Sequence, residues 1–533
     1  MTEFKDRGRT LPQLKLEKGA IAVIITFVII FIVGVCVFKD YGISVDEPAQ
    51  RNHTRIAFNT IYKQIFDRDY YEGITDITEY SARFYGTAIQ IPPLLIEIIF
   101  KLKDSRDIFL VKHFYSFLLY FASLICFYFI NKRFFKSRLF AILGVLMLFL
   151  YPRFFGNSFF DIKNLAFASL LIIALYFILV FLEKRQFSYA ILAGFLVALA
   201  TNSRWIALML VGAVALVILL EVLVAKSEVR HRRLSLLHLL VFAAVFFISF
   251  ILLTPASWAN PSGFLVEYVK SFSNGWEAWD GTFVFNGELI KKATMPRYYV
   301  PVWMGITIPI CYLLLSAIGI VSVVKRALTG GIKAGFLSHL YELVPLGMFL
   351  IPVLATVLKR GLLYIEWRHL FFCYPLLMIL ALFGLHWVME YGGWKKWTMV
   401  ALVVLTLLTQ AGWIVKNHPY EVAYFNVIGR QVAAKYDRDS WGVCTYQLLQ
   451  YLAENTEAVP AKVKIGMDRP SLGMLPKQLR ERIKTVSDIA EAEYTTSYYR
   501  NIIGNAHAIE GFEEIYTIWV DGFKIGSLYK RIN

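Results

Sequence analysis

The sequence predicts a polytopic α-helical membrane protein with a small α/β domain at its C-terminal end. Of its 533 residues, 57% are hydrophobic, 16% are aromatic and only 18% are charged, whereas ordinary soluble domains carry about 25% charged residues. Apolar runs long enough to cross a bilayer recur between residues 19 and 416, and the rest of the chain lacks them. The loops between these runs carry clusters of Lys and Arg, as cytoplasmic loops of membrane proteins do.

The first apolar run, residues 19–38, contains no charged side chain and matches the length of about 20 residues that a spanning helix needs. It is too long for the apolar part of a signal peptide, and no small-residue cleavage site follows it. The residues before it are basic, so the N-terminus is expected in the cytoplasm. These basic residues are Lys5, Arg7, Arg9, Lys15 and Lys18.

Hydropathy and loop charge together predict about eleven spanning helices. A shorter apolar run at 88–100 contains Glu97 and is expected at the membrane surface, since runs of about 10–14 residues are more often interfacial. If that run crossed the bilayer, every later basic loop would fall on the outer side, against the positive-inside rule. After residues 19–38, the expected spans are 108–130, 139–151, 164–182, 188–202, 205–225, 234–254, 302–324, 340–358, 369–390 and 397–416.

An odd number of spans places the tail, residues 417–533, on the outer side together with the first loop, 39–107, and the loop 255–301. The membrane domain is then residues 1–416, and the tail has the size of an ordinary soluble domain. The tail contains fourteen Lys or Arg and fourteen Asp or Glu, so the net charge of +16 belongs to the membrane part. This distribution argues against nucleic acid as a partner and for a multi-pass protein of the cell membrane.

Within the tail, the residue pattern predicts a helix at 441–455, strands at 463–465 and 515–520, and a turn at Asp521 and Gly522. The chain shows no nucleotide-binding fingerprint, no P-loop and no metal-ligand spacing. Its five cysteines include no Cys-x-x-Cys pair, which argues against a zinc site and against a disulfide framework.

Two adjacent carboxylates, Asp46 and Glu47, follow within ten residues of the end of the first apolar run. A carboxylate held just above the membrane can act as a base on the hydroxyl of an acceptor. The alternative is that the pair only stabilises the first turn of a helix that begins near Pro48, where acidic side chains are favoured.

Basic residues also collect on the expected outer side, where membrane proteins disfavour them. An anionic lipid phosphate would explain them, because Arg and Lys bind phosphate well; the alternative is that their side chains extend toward lipid headgroups. The polar residues concerned in these outer segments are Lys112, His113, Arg153, Asp161, Lys163, Arg204, Arg297, Arg368 and His369.

Several short motifs, taken in order, resemble the GT-C glycosyltransferases, and most closely the branch that contains the protein O-mannosyltransferases and the aminoarabinose transferase of lipid A. Two differences stand out: the histidine that often precedes the Pro-Pro-Leu motif is absent, and Asn164 stands where the family often has an acidic residue. The matching stretches are Val-Asp-Glu-Pro at 45–48, Ile-Pro-Pro-Leu at 91–94, residues 151–158 and 161–164, Trp-Arg-His at 367–369, residues 371–375, 418–421 and 424–426, and Trp-Gly at 441–442.

The resemblance implies a GT-C fold of about eleven transmembrane helices with juxtamembrane helices. It also implies an inverting transferase that uses a polyprenyl-phosphate-linked sugar, with Asp46 as general base and Glu47 orienting the acceptor or the sugar. The acceptor would be a protein, a glycolipid or a wall polymer, and participation of a divalent metal is left open. The residues expected around the donor phosphate are Lys112, His113, Arg153, Asp161, Lys163, Arg204, Arg368 and His369.

Two other functions remain open on the sequence: a transporter or flippase of lipid-linked sugars, and a scaffold of the cell envelope with a degenerate site. Large external loops and the absence of an internal repeat argue against a transporter. If Asp46 and Glu47 only stabilise a helix, the catalytic acid must lie elsewhere on the outer side. The remaining candidates are Asp161, Glu267, Glu277, Asp280 and Glu288.

Overall fold

The computed structural model describes residues 18–224, 229–273, 281–329, 339–359, 363, 365–390 and 392–532. The N-terminal basic residues before Lys18, and the alternative acids Glu277 and Asp280, lie outside these ranges.

The membrane domain is built from helices of very different length, from nine to 31 residues. In chain order they are α1 (Lys18–Val37), α2 (Glu47–Phe66), α3 (Ile91–Ile99), α4 (Ser105–Phe135), α5 (Arg138–Phe149), α6 (Pro152–Phe160), α7 (Asn164–Lys184), α8 (Phe187–Ser203), α9 (Leu208–Val224), α10 (Val229–Leu252), α11 (Pro261–Ser273), α12 (Tyr299–Thr307), α13 (Ile310–Leu328), α14 (Leu340–Leu358), α15 (Cys373–Glu390) and α16 (Gly393–Asn417).

In the described part of the chain, nine helices are long and apolar enough to cross a membrane, and the α5–α6 pair would make ten if it is a single broken span. The predicted number was about eleven. The difference lies in the two shortest predicted spans: α8 is only 17 residues long, and α5 and α6 are bent by 68° at their junction. The multi-pass helical architecture itself is confirmed.

Prolines account for two of the revised boundaries. Pro152 starts α6 as a new helix, because its fixed φ and missing N–H suit a first turn and not an interior. Pro309 likewise separates α12 from α13, and the residue before it, Ile308, is extended, as residues before proline usually are. The predicted span at 302–324 is therefore wrong in its start, since the long helix begins at Ile310.

The short apolar run at 88–100 forms a 3₁₀ turn followed by α3, which is too short to count among the spanning helices. Glu97 of α3 pairs with Arg51 of α2, whose Nε lies 2.9 Å from a carboxylate oxygen. An acidic side chain inside an apolar helix is thus neutralised by the neighbouring polar helix, and the two helices are joined.

Close packing of the spanning helices depends on glycine at one junction. A Cβ atom on Gly319 of α13 would lie 1.8 Å from the carbonyl oxygen of Leu380 in α15, and one on Gly384 would lie 2.0 Å from that of Leu315. Small residues permit such close approach of helix backbones in membranes, where it replaces the hydrophobic driving force between helices.

The C-terminal part forms a five-stranded sheet covered by a helix, which confirms the predicted small α/β domain. Its elements are α17 (Thr445–Asn455), β3 (Ala461–Lys464), α18 (Lys477–Arg480), β4 (Ile483–Thr485), β5 (Tyr494–Tyr498), β6 (Phe512–Val520) and β7 (Phe523–Arg531). A separate hairpin, β1 (Thr282–Phe285) and β2 (Glu288–Lys291), precedes α12.

The strand order in this sheet is β4-β3-β5-β7-β6, with β3 parallel to β4 and β5 and the other pairs antiparallel. The predicted turn at Asp521 and Gly522 joins β6 to β7, both residues with positive φ, as such two-residue turns require. The helix α17 starts later than predicted because the carboxylate of Asp439 accepts the N–H groups of Trp441, Gly442 and Cys444 and holds them in a turn.

Candidate active site

A cavity of about 310 Å³ opens where the first loop, the start of α7 and the C-terminal domain meet. Its wall is formed by residues of 45–53 and 80–85, by Lys163, by Ile365 and Arg368, and by Met467 and Arg500. Segments far apart in the sequence therefore line one cavity, and it contains three of the predicted site residues, Asp46, Lys163 and Arg368.

Asp46 stands immediately before α2, yet no backbone N–H of this fully described helix donates to its side chain. Its carboxylate is 37% exposed, and one oxygen lies 3.9 Å from Nη2 of Arg368. Asp46 therefore forms no helix-cap hydrogen bond and lines the cavity, whereas Glu47 stands in the first turn of α2, where the alternative expects an acidic side chain.

Glu47 lies behind Asp46 and is buried. One of its oxygens accepts the N–H of Ser44 at 2.7 Å, and the other lies 3.1 Å from Nε2 of His113 on α4. Glu47 does not line the cavity, so these contacts brace the segment that carries Asp46 against α4.

The C-terminal domain holds the segment in front of Asp46. Val45 donates its N–H to the carbonyl of Trp441 at 3.0 Å, and the Ser471 hydroxyl donates to the carbonyl of Ile43 at 2.9 Å. Gly42 permits this contact, since a Cβ atom there would lie 2.5 Å from the carbonyl oxygen of Val443. The position of Asp46 therefore depends on a domain that follows it by nearly 400 residues.

Lys163 enters the cavity from the residue before α7, with Nζ 4.1 Å from the centre of the Tyr85 ring. Removal from water lowers the pKa of Lys163 to about 8, and the positive charges of Arg204 and Arg368 add to this effect. The carboxylates of Asp46 and Asp161 oppose the shift. The lowered pKa therefore reflects burial first and the neighbouring cations second.

Arg368 is buried and lies over the ring of Trp441, with its guanidinium carbon 4.4 Å from the ring centre. The next residue, His369, is not among the residues that line the cavity. Burial lowers the pKa of His369, and the cations Arg204, Arg368 and Lys163 lower it further. This imidazole is therefore neutral and does not add to the positive charge.

Asp161 and Arg204 lie behind Lys163 and do not line the cavity. The Asp161 carboxylate accepts the backbone N–H of Asn164 at 2.8 Å and also its side-chain amide, while Arg204 donates to the side-chain oxygen of Asn164. Burial raises the pKa of Asp161 and outweighs these hydrogen bonds, which act to lower it. Together, Asp161, Asn164 and Arg204 order the turn from which Lys163 enters the cavity.

Arg153 is not brought to the cavity. Its Nη1 lies 2.5 Å from Glu366, and its Nε donates to the carbonyl of Tyr424 at 2.8 Å. The other oxygen of Glu366 accepts the Ser440 hydroxyl at 2.7 Å. The sequence predicts Arg153 at the donor phosphate, but the structure places it in a buried ion pair with Glu366 inside the membrane domain, and the hydrogen bonds with Tyr424 and Ser440 connect this pair to the tail.

Lys112 and His113 also lie apart from the cavity. Lys112 is buried beside a second, much smaller space that Arg51, Gln90 and Glu97 line as well, and His113 contacts Glu47. Arg297 and the alternative acids Glu267 and Glu288 are likewise absent from the cavity wall.

Other cavity residues were not predicted. Gln50 and His53 follow Asp46 by four and seven positions, a spacing that puts them on the same face of α2 and could have revealed them. Burial, aided by the charge of Lys163, lowers the pKa of His53 to about 3, so this side chain is neutral. Tyr80, Met467 and Arg500 complete the wall and carry no comparable signal in the sequence.

Among the described residues, no group of three or more His, Cys, Asp or Glu side chains is arranged to hold a metal ion. The carboxylate of Asp161 is already occupied by Asn164. The residues at the cavity do not form a metal site on their own.

Comparison with protein families finds one match, at residues 91–253, to the model described as dolichyl-phosphate-mannose-protein mannosyltransferase. This range runs from α3 to the end of α10 and includes the Pro-Pro-Leu motif and Lys163. The predicted resemblance to the mannosyltransferase branch is confirmed over this part of the chain. A search of curated proteins gave no match.

Comparison with solved structures finds similar folds at low sequence identity. The apo oligosaccharyltransferase of Archaeoglobus fulgidus is 12% identical, with a TM-score of 0.48 over 89% of this chain and 69% of that chain. Apo ArnT of Cupriavidus metallidurans is 14% identical, with a TM-score of 0.47 over 89% and 87%. The same ArnT bound to undecaprenyl phosphate is 13% identical, with a TM-score of 0.45 over 96% and 98%.

Proposed function

We propose that the protein is an integral membrane glycosyltransferase that moves a sugar from a polyprenyl-phosphate donor to the hydroxyl of an acceptor, with inversion. The observation that carries the proposal is that Asp46 shares one cavity with Lys163 and Arg368. A base and two cations are what this chemistry requires. The family match over 91–253 supports a lipid-phosphate donor for this chain.

The cations would hold the donor phosphate. As the acceptor oxygen bonds to the anomeric carbon, the bond from that carbon to the phosphate oxygen breaks, and the phosphate leaves with the electron pair. Lys163 and Arg368 stabilise the charge that develops on it, and such preorganised stabilisation is often the largest single contribution to catalysis.

Asp46 would take the acceptor proton. Its carboxylate faces the cavity with no competing hydrogen bond from α2, and a single displacement by an activated hydroxyl inverts the anomeric centre. The neutral His53 and the Gln50 amide, on the same face of α2, are suited to bind the hydroxyls of a sugar. The cavity of about 310 Å³ falls at the lower end of the range for small-molecule sites.

The proposal also places the site on the extracytoplasmic side of the membrane. The basic loop clusters favour this orientation, and nucleotide sugars are not available there, which fits a lipid-linked donor. The acceptor is a protein, a glycolipid or a wall polymer.

The deciding experiment compares Asp46→Asn with the parent protein. Asn keeps the shape of Asp but not its basicity, so kcat should fall by about 10²–10⁴-fold, while KM for the donor changes little because the cations bind the phosphate. The measurement is release of polyprenyl phosphate from a polyprenyl-phosphate hexose by the purified protein, with envelope extract as acceptor.

Glu47→Gln is the matched comparison, since it alters the adjacent carboxylate that does not line the cavity. It should cost less in kcat than Asp46→Asn. Full activity of Asp46→Asn would exclude Asp46 as the base. A flippase or scaffold would release no polyprenyl phosphate even as the parent protein. Turnover of a nucleotide sugar without the lipid carrier would contradict the donor class.

A further inference from the structure

The C-terminal domain contributes a cation of its own to the cavity. Arg500 follows β5 and lines the cavity wall together with Met467. Arg500 belongs to the C-terminal domain, whereas the other two cations of the wall, Lys163 and Arg368, belong to the membrane domain. Among the described residues, the charged side chains of the wall are Lys163, Arg368 and Arg500 against the carboxylate of Asp46. His53 does not count, because its pKa is lowered to about 3. The described part of the wall therefore carries an excess of two positive charges.

Arg500 has no direct ion-pair partner in the described part of the chain. No carboxylate there lies within 4.0 Å of its guanidinium, and its Nε is buried without a hydrogen-bond partner. The carboxylate that affects it electrostatically is Asp437, whose two oxygens accept the backbone N–H groups of Val284 and Asn501. The guanidinium also interacts with the neighbouring Tyr498.

A polyprenyl-phosphate sugar is a phosphodiester with one negative charge. Lys163 and Arg368, both from the membrane domain, suffice to bind it and leave the charge of Arg500 unmatched. A buried or half-buried cation without a partner is costly unless a ligand supplies the opposite charge. The cavity is therefore suited to two anionic groups at once.

We propose that Arg500 forms a second anion subsite, distinct from that of the donor phosphate, which binds a phosphate monoester or carboxylate carried by the acceptor. This inference rests on the proposed transferase function, and it adds to it that the acceptor is anionic. Arg is the suitable residue, because its planar guanidinium can donate two parallel hydrogen bonds to either group.

The test is a two-step binding measurement on the full-length protein in detergent at low salt. The protein is first saturated with an undecaprenyl-phosphate hexose, whose phosphodiester carries one negative charge, and then titrated by calorimetry with glycerol 3-phosphate, or with glucuronate in a separate arm. The parent should bind at least one of these second anions while the lipid stays bound, and the two arms distinguish a phosphate from a carboxylate.

Arg500→Gln should weaken binding of the second anion about tenfold or more, the usual effect of losing a charge-assisted hydrogen bond, and leave the Kd for the undecaprenyl-phosphate hexose within about twofold. Arg500→Lys keeps the charge and should retain most of the binding. Arg469→Gln is the matched control, since that guanidinium lies outside the cavity and donates to Thr485 at 3.0 Å.

Three results would overturn the inference: no second anion binds to the parent, Arg500→Gln binds it as the parent does, or Arg500→Gln loses the undecaprenyl-phosphate hexose instead. The last result would assign Arg500 to the donor phosphate. Failure of the parent to bind the undecaprenyl-phosphate hexose would contradict the proposed transferase itself, so the two failures are distinguishable.

Discussion

A single residue, Lys163, is the cavity cation whose charge depends on pH near neutrality. Its pKa is lowered to about 8, so it is charged below that pH and neutral above it. Donor binding that needs the charge should weaken as the pH rises through about 8. In Lys163→Arg the side chain at this position stays positively charged at all accessible pH values.

The measurement is kcat/KM for the polyprenyl-phosphate sugar between pH 6 and 10, which reports groups of the free enzyme. The parent should lose activity above about pH 8, and Lys163→Arg should lack this alkaline decline. An identical decline in both proteins would mean that another group titrates.

Arg368 and Arg153 are expected to differ in role. Arg368 binds the donor phosphate, whereas Arg153 stabilises the folded protein. Arg368→Ala should lower kcat/KM for the donor about tenfold or more, because one charge-assisted contact to phosphate is lost, while the protein remains folded. Arg153→Ala should instead lower the yield of folded protein, because it leaves Glu366 buried without its partner, a change that costs about 3–5 kcal/mol.

Size-exclusion profiles in detergent together with donor kinetics distinguish the two effects. Loss of folded protein in Arg368→Ala, or unchanged kinetics in a folded Arg368→Ala, would contradict the assignment of Arg368 to the phosphate.

At the scale of elements, the segment between α1 and α2 is positioned by contacts with the C-terminal domain. Besides the bonds to Trp441 and Ser471, Gln447 donates its side-chain amide to the carbonyl of Asp40 at 2.8 Å. A second link forms where His418 lies 3.2 Å from Asp40 and 2.6 Å from Glu421. Because these contacts hold the residues that immediately precede Asp46, small shifts between the domains should move the base.

Gly42→Ala tests this dependence. The new methyl group would overlap the backbone of Val443, so the segment must shift, and misplacement of a catalytic group by about 1 Å can cost 10²-fold in rate. We expect kcat to fall by about that amount with donor binding retained. Gly412→Ala in α16 is the control, because a Cβ atom there meets nothing within 4 Å. Parental kcat in Gly42→Ala would show that the contact does not position Asp46.

At the scale of the whole molecule, the cavity lies at the end of the helical bundle that carries the C-terminal domain. The distribution of Lys and Arg in the loops predicts that this end is extracytoplasmic. A reporter that is active only outside the cytoplasm should therefore function when fused after Asn533, and a reporter that is active only inside should function when fused after Thr329, close to the basic residues at the end of α13. The reverse pattern would contradict the proposed orientation.

The sequence alone determined the class of the protein. Length and charge of the apolar runs predict a multi-pass helical protein, because burial of a long uncharged helix in lipid is a local property of that helix. The turn at Asp521 and Gly522 was also predictable, since it depends on the backbone freedom of adjacent residues. Asp46 was identified as a candidate base from its position after the first span. The resemblance over 91–253 was recognised from local motifs.

Only the tertiary structure decided which of the predicted residues share a site. Arg153 and Arg368 look alike in the sequence, but one faces Glu366 and the other faces Asp46, and a partner from another part of the chain cannot be inferred from local composition. For the same reason, Arg500 could not be predicted from the sequence. It reaches the cavity only because the C-terminal domain folds back over the first loop. Proximity between distant segments depends on the packing of the whole chain, and no local pattern encodes it.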